Sequence, residues 1–171
     1  MPTTPPIILS LDPGTKEIGV AVFCGRELCY YAVKTLRCRR PPEALLAEIS
    51  RMVTEIIARY APQELALEGL SRLQARSALV RLAARNIQQT ARRAGLAVYV
   101  YAPAEVRRKI CQRENATKRA TAARLVVRFP ELARYHEPAT RWGALYWAHM
   151  FAAVAVGWLH GQEVYGTEDP R

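Results

Sequence analysis

The chain has 171 residues, a formal net charge of +10 and four cysteines. That length predicts one domain, which buries roughly 70% of its unfolded surface and needs no disulfide staples. Only four of the 25 basic residues are lysine; the rest are arginine, whose planar fork of donors suits phosphates. The excess points to an anionic polymer as partner, against the alternative of a composition habit in a GC-rich or heat-adapted source. Cys24, Cys29, Cys38 and Cys111 lack CxxC spacing, which argues against zinc. No secretory signal is visible, so reduced thiols in a cytoplasmic protein are expected, buried as small hydrophobes.

Met1 to Pro6 carries three prolines and reads as a disordered leader. Ile7 to Asp12 then alternates branched apolar residues with Ser10 and Asp12, the pattern of a strand that ends in a carboxylate. Pro13-Gly14-Thr15-Lys16 makes the turn, and Ile18 to Phe23 returns as a second strand. A charged Asp12 at the end of an apolar strand needs a partner or a cation, unless it simply caps the turn. Glu27 to Leu36 reads as a third strand of an antiparallel meander.

Leu45, Leu46, Ile49, Met52, Val53, Ile56 and Ile57 recur at three and four, which predicts a helix from Pro42 to Tyr60. Leu65 to Glu68 is a short strand ending in a second carboxylate. Arg76 to Ala94 reads as a long helix with Leu79, Leu82, Ala83 and Ile87 on its buried side and Arg81, Arg85 and Arg92 on a solvated one. Leu96 to Tyr101 is a further strand, Pro103 opens a short helix to about Ile110, and Thr117 caps a helix that ends near Phe129. Trp142 to Leu159 is apolar and uncharged apart from the titratable His149. Its length would span a membrane, but its many Ala and Gly and its place after a soluble pattern predict a core helix, with no membrane contact. The domain is expected over 7–161, with 162–171 as a C-terminal tail.

The opening Asp-Pro-Gly-Thr between two strands resembles the first hairpin of RNase H-like folds. Two branches share it: the RuvC family of DNA junction nucleases, and the sugar kinase and actin group, whose loop holds ATP phosphates. The chain is too short for the duplicated halves of the second group. The element order β, β, β, α, β, α, β, α, α, α matches the first. The resemblance implies an α/β, RNase H-like domain with a mixed five-stranded sheet and helices on both faces.

It further implies a four-position metal site. Asp12 and Glu68 match the acids that end the first and fourth strands. His149 matches the third position on the last helix, and Ala152 stands where the family has Asp. Residues three apart share a helix face, so both last positions can meet the strand ends. Such a site would take Mg²⁺ or Mn²⁺, two ions about 4 Å apart, for metal-assisted phosphodiester hydrolysis. Arg107 and Lys118 match the family's DNA-contacting positions, and Arg108, Lys109 and Arg119 thicken that patch. Implied partners are four-way or other branched DNA, a second copy of the chain docked through the long helix after Glu68, and a branch-migration motor. An aromatic that follows the second acid in the family is missing from Gly69-Leu70-Ser71.

The resulting expectation is a Holliday junction endonuclease of DNA recombination and repair. Ala152 leaves open an acid removed to inactivate the enzyme, or a natural member that binds and cuts poorly. The alternatives are a non-catalytic branched-DNA binder on the same fold and, less favoured, an actin-like nucleotide-binding protein.

Overall fold

The structure is a computed structural model that describes residues 5–38 and 40–166. The expectation of a leader falls largely on residues 1–4, outside that range. Pro6 is tied in, its carbonyl accepting from the Gly25 amide at 2.9 Å.

Five strands form one mixed sheet in the order β3-β2-β1-β4-β5. β1 (Ile7–Asp12), β2 (Glu17–Cys24) and β3 (Glu27–Thr35) are the antiparallel meander. β4 (Glu64–Glu68) and β5 (Ala97–Tyr101) join parallel to β1 through helical crossovers. The α/β, RNase H-like arrangement expected from the sequence is the one observed.

Side-chain alternation assigns the two faces. Leu9 and Leu11 of β1, with Leu65 and Leu67 of β4, pack against α1 (Pro42–Tyr60) and α2 (Ala78–Arg93). Ile8 and Ala66 face the other way, into a core with α3 (Pro103–Cys111), α4 (Lys118–Arg128) and α6 (Arg141–Tyr165). By the same parity Asp12 and Glu68 come out on the α6 side. Burial of apolar side chains on both faces is the main stabilising term.

Three readings need correction. Leu82 is 44% exposed, because Ala83, Ala84, Ile87 and Ala91 form the buried stripe of α2 instead. No cysteine is fully buried: Cys29 and Cys38 are exposed, and Cys24 and Cys111 are half-buried. The segment after Phe129, which carries no periodic signal, folds into a short 3-10 turn (Pro130–Leu132) and α5 (Ala133–His136).

A fourth correction concerns the tail, since α6 continues to Tyr165 rather than ending before 162. Side chains from the expected tail anchor it. Tyr165 donates to Glu64 Oε1 at 2.7 Å, and Glu163 pairs with Lys109. The fully buried His160 completes the anchor, its Nε2 2.7 Å from Glu64 Oε2 and its Nδ1 2.7 Å from the Tyr101 hydroxyl. Glu64 accepts from Nε2–H, and Tyr101 donates to Nδ1. This chain of polar groups joins β4, β5 and α6.

His160→Ala strands Tyr101 and part of Glu64 and leaves a void. It should cost about 3 kcal/mol in denaturant unfolding. Tyr165→Phe, which removes only the exposed end, should cost less than about 1 kcal/mol. Equal losses from the two variants would show that the buried histidine adds nothing beyond the surface bond.

Among the described residues α6 is the one helix long and apolar enough to cross a membrane. It lies across β1 and β2, and its buried residues include Met150, Ala153, Val154, Val156 and Leu159.

Candidate active site

The site begins with a register. Ser10 pairs with Ala66 and Leu11 with Leu67, so the next residues, Asp12 and Glu68, leave the sheet side by side. Asp12 is 5% exposed and Glu68 8%. On the other flank Asp12 pairs with Gly19 of β2. A Cβ on Gly19 would sit 1.8 Å from the His149 carbonyl oxygen, so glycine alone lets α6 approach there. Gly157 acts in the same way farther along α6, where a Cβ would meet Ser10 Oγ at 2.4 Å.

That approach brings His149 Nδ1 to 2.8 Å from Asp12 Oδ2. With the carboxylate accepting, the ring donates from Nδ1 and turns Nε2 away from Asp12. Ala152, three residues on, lines a cavity with Glu68 and contributes only a methyl group. Asp12, Glu68, His149 and Ala152 therefore lie at one end of the sheet. Among the described residues, no three acidic, histidine or cysteine side chains stand close enough to enclose an ion.

The two acids interact strongly. Burial first, then the charge of Asp12 and a hydrogen bond to it, push the Glu68 carboxyl from its ordinary 4.5 up to about 8; Lys118 and Arg107 pull the other way. Between about pH 4.5 and 8 the folded protein keeps a proton that the unfolded chain has released. Stability should therefore fall as pH rises through that window, by an amount on the order of a few kcal/mol. Glu68→Gln should flatten the fall in urea unfolding measured from pH 5 to 9. An identical slope in parent and variant would mean that Glu68 does not carry it.

The basic patch divides. Arg107, Lys118 and Arg119 line the same cavity as Glu68. Arg119 lies 3.2 Å from Glu137. Arg108 points elsewhere, toward Glu114 at 3.8 Å. Lys109 is held between Glu105 at 2.8 Å and Glu163, and lines a different cavity with Arg26, Arg124 and Arg128. The structure thus keeps three of the five expected basic residues beside the acids. Helix phase explains this, since Arg107 and Lys109 lie on opposite sides of α3. Tyr135, His136 and Glu137 also line the Glu68 cavity, and sequence reasoning misses them. Their only signal in the sequence is an aromatic-polar run before Pro138.

A mixed sheet of this order, with two carboxylates at adjacent strand ends and a histidine reaching Asp12 from the last helix, defines an RNase H-like domain. The family model described as "Crossover junction endodeoxyribonuclease RuvC" matches residues 8–149. The chain belongs to the RuvC family. A relative of that name from Anaeromyxobacter sp. (strain Fw109-5) is 37% identical over 118 residues, 66% of this chain and 57% of the relative. The match therefore spans little more than half of that relative's length. Another of that name, from Azorhizobium caulinodans, is 35% identical over 120 residues, 65% of this chain and 69% of its own. The structure of T. thermophilus RuvC in complex with Holliday junction substrate superposes with a TM-score of 0.71 at 21% identity, covering 94% of each chain, which shows the shared fold.

Proposed function

We propose that this protein is a Holliday junction resolvase, which binds four-way DNA junctions as a homodimer and hydrolyses phosphodiesters in them during recombination and repair. The observation that carries the reading is the placement of Asp12 and Glu68 at adjacent strand ends, with His149 at 2.8 Å from Asp12 and Arg107 and Lys118 beside Glu68. Family membership and the likeness to a junction-bound relative support it.

The donor chemistry fits a hard divalent cation. Two crowded carboxylates that share a proton gain by exchanging it for Mg²⁺ or Mn²⁺. Asp12 and Glu68 would hold the ion, and His149 would add a ring nitrogen or move a proton. When bound, the cation supplies positive charge for the attacking water and the leaving oxygen. Asp12 is steered by His149, and Arg107 and Lys118 place the phosphates. A second ion would lean on position 152, where Ala152 offers no donor. A second reading, a branched-DNA binder that does not cut, rests on that lack alone.

Two exposed leucines bear on the wider assembly. Leu73 is 75% exposed on the loop after Glu68 and offers an apolar wedge for the junction centre. Leu82, exposed on α2, suits a contact with the second copy. A two-fold dimer places two sites for paired incision.

The test is a labelled four-way junction incubated with the protein in Mg²⁺ or in chelator, across a salt series. Cation-dependent paired incision establishes the resolvase; tight binding without incision establishes the non-cutting reading. Binding should be steep in salt. Arg107→Ala or Lys118→Ala should each lower the log-log slope by about 0.9, whereas Lys109→Ala, already neutralised by Glu105 and Glu163, should leave it unchanged. A flat salt dependence in the parent would remove the DNA assignment.

A further inference from the structure

A second cavity, of about 440 Å³, opens at the opposite end of the sheet from the acids. Asp12 pairs with Gly19 of β2, whereas Gly25, which lines this cavity, follows Cys24 at the other end of that strand. From Gly19 to Cys24 is about 17 Å, so a phosphate beside Asp12 and Glu68 does not fill it. Four cations line it: Arg26 from the turn after β2, Lys109 of α3, and Arg124 and Arg128 of α4. Among the described residues none that lines it is acidic. Lys109 is already satisfied by Glu105 and Glu163. Among the described residues no carboxylate pairs with the other three. Arg26 Nη2 donates to the Gly166 carbonyl at 2.9 Å, which holds that guanidinium at the edge of the cavity.

Three guanidinium groups around one concavity repel one another, and Arg124 and Arg128 do so at a single turn's spacing along α4. Concave walls concentrate that positive field, which favours an anion that neutralises the three together. Guanidinium forks match phosphate oxygens, and a cavity of this size has room for more than one phosphate group. One side is apolar, with the exposed Val127 and the half-buried Trp158. We propose that this cavity binds a small polyphosphate, its phosphates held by Arg26, Arg124 and Arg128. A nucleoside triphosphate and inorganic triphosphate share that chemistry; the apolar side favours the nucleoside, whose base would lie against Trp158. Occupancy would tie the turn after β2 to α4 and to the C-terminal half of α6. The site does not depend on the junction reading, since none of its residues lines the Glu68 cavity.

The test titrates the whole chain with ATP, tripolyphosphate and orthophosphate by calorimetry in EDTA, so that no cation recruits them to Asp12 and Glu68. One ATP per chain should bind, about tenfold tighter than tripolyphosphate, with orthophosphate much weaker than either. ATP should also raise the Tm. Arg124→Ala with Arg128→Ala, both at exposed positions, should weaken ATP binding at least about tenfold and abolish the Tm rise. Without ligand the Tm of that variant should equal or exceed the parent's, because like charges have been removed. Trp158→Leu should bring ATP down to the affinity of tripolyphosphate. Arg107→Ala with Lys118→Ala should bind ATP like the parent.

Tripolyphosphate binding as tightly as ATP, with the same loss in the double arginine variant, would keep the site and make the inorganic chain its ligand. The proposal is overturned if neither ATP nor tripolyphosphate binds at millimolar concentration, if orthophosphate binds as tightly as both, or if Arg124→Ala with Arg128→Ala binds like the parent. Loss of binding only in Arg107→Ala with Lys118→Ala would place the ligand at the Glu68 end and overturn it too. An oligoglutamate that binds where ATP does not would assign the cavity to an acidic peptide instead.

Discussion

Ala152→Asp should raise cation-dependent junction cleavage by about 10²-fold or more, the scale of one preorganised charge-stabilising group. Position 152 lies three residues beyond His149 on α6 and lines the cavity that Glu68 enters. A carboxylate there faces the paired strand ends and supplies the oxygen donor that a second ion lacks. The same change sets a third acid beside two that already repel, so without cation the variant should be less stable than the parent at pH 8. Added Mg²⁺ should raise its Tm more than it raises the parent's. The measurement is side-by-side cleavage by the parent, Ala152→Asp, and Ala152→Asp with Asp12→Asn. The double variant should return to background. If the parent already cuts as fast as Ala152→Asp, position 152 does not face the site. If Ala152→Asp stays inert while binding junctions tightly, the chain is a binder and not a nuclease.

Gly19→Ala should be the most damaging single methyl group in the protein. Its Cβ would meet the His149 carbonyl oxygen at 1.8 Å and carbon at 2.3 Å, both main-chain atoms that cannot rotate aside. α6 must shift, and the loss should reach about 3 kcal/mol, the upper range for overpacking. The shift also opens the 2.8 Å contact between His149 and Asp12. Cation binding at pH 8, read as the Tm gain on adding Mg²⁺, should therefore weaken in whatever fraction still folds. Gly161→Ala is the contrast. Its Cβ would lie 3.7 Å from Ile8 Cδ1, an ordinary contact, and a helical alanine there should stabilise by about 0.5–1 kcal/mol. If Gly19→Ala is as stable as the parent, the close approach of α6 to β2 is not a constraint.

Glycines also mark a limit of sequence reasoning. In the sequence, the Ala and Gly of the last helix read as signs of weak apolarity. In the fold, Gly157 is a place where the helix touches Ser10 and Phe23. A composition cannot tell a small residue that hydrates from one that lets two elements meet closely.

The local elements were legible where pattern and punctuation agree. Pro42 to Tyr60 reads as a helix from its apolar spacing and its bounding prolines, and α1 has those limits. Asp12 and Glu68 stood out because each ends an apolar strand, although capping the turn was the blander use open to Asp12. His149 stood out only through its place in the family pattern.

Residue order alone was enough for the strands and the basic character of the chain, whereas the four candidate site positions needed the family pattern beside it. Periodicity and charge are local properties of a chain, so they survive without its neighbours. Packing chose which arginines and lysines face the acids, since a single helix, α3, sends Arg107 and Lys109 to different cavities. Packing also built the cavity beside Glu68, from α3, α4, α6 and the segment before Pro138 that has no periodic signal. It raised Glu68 to about 8 as well, because burial and the nearness of Asp12 arise only when β1 and β4, far apart in the chain, become neighbours in the sheet.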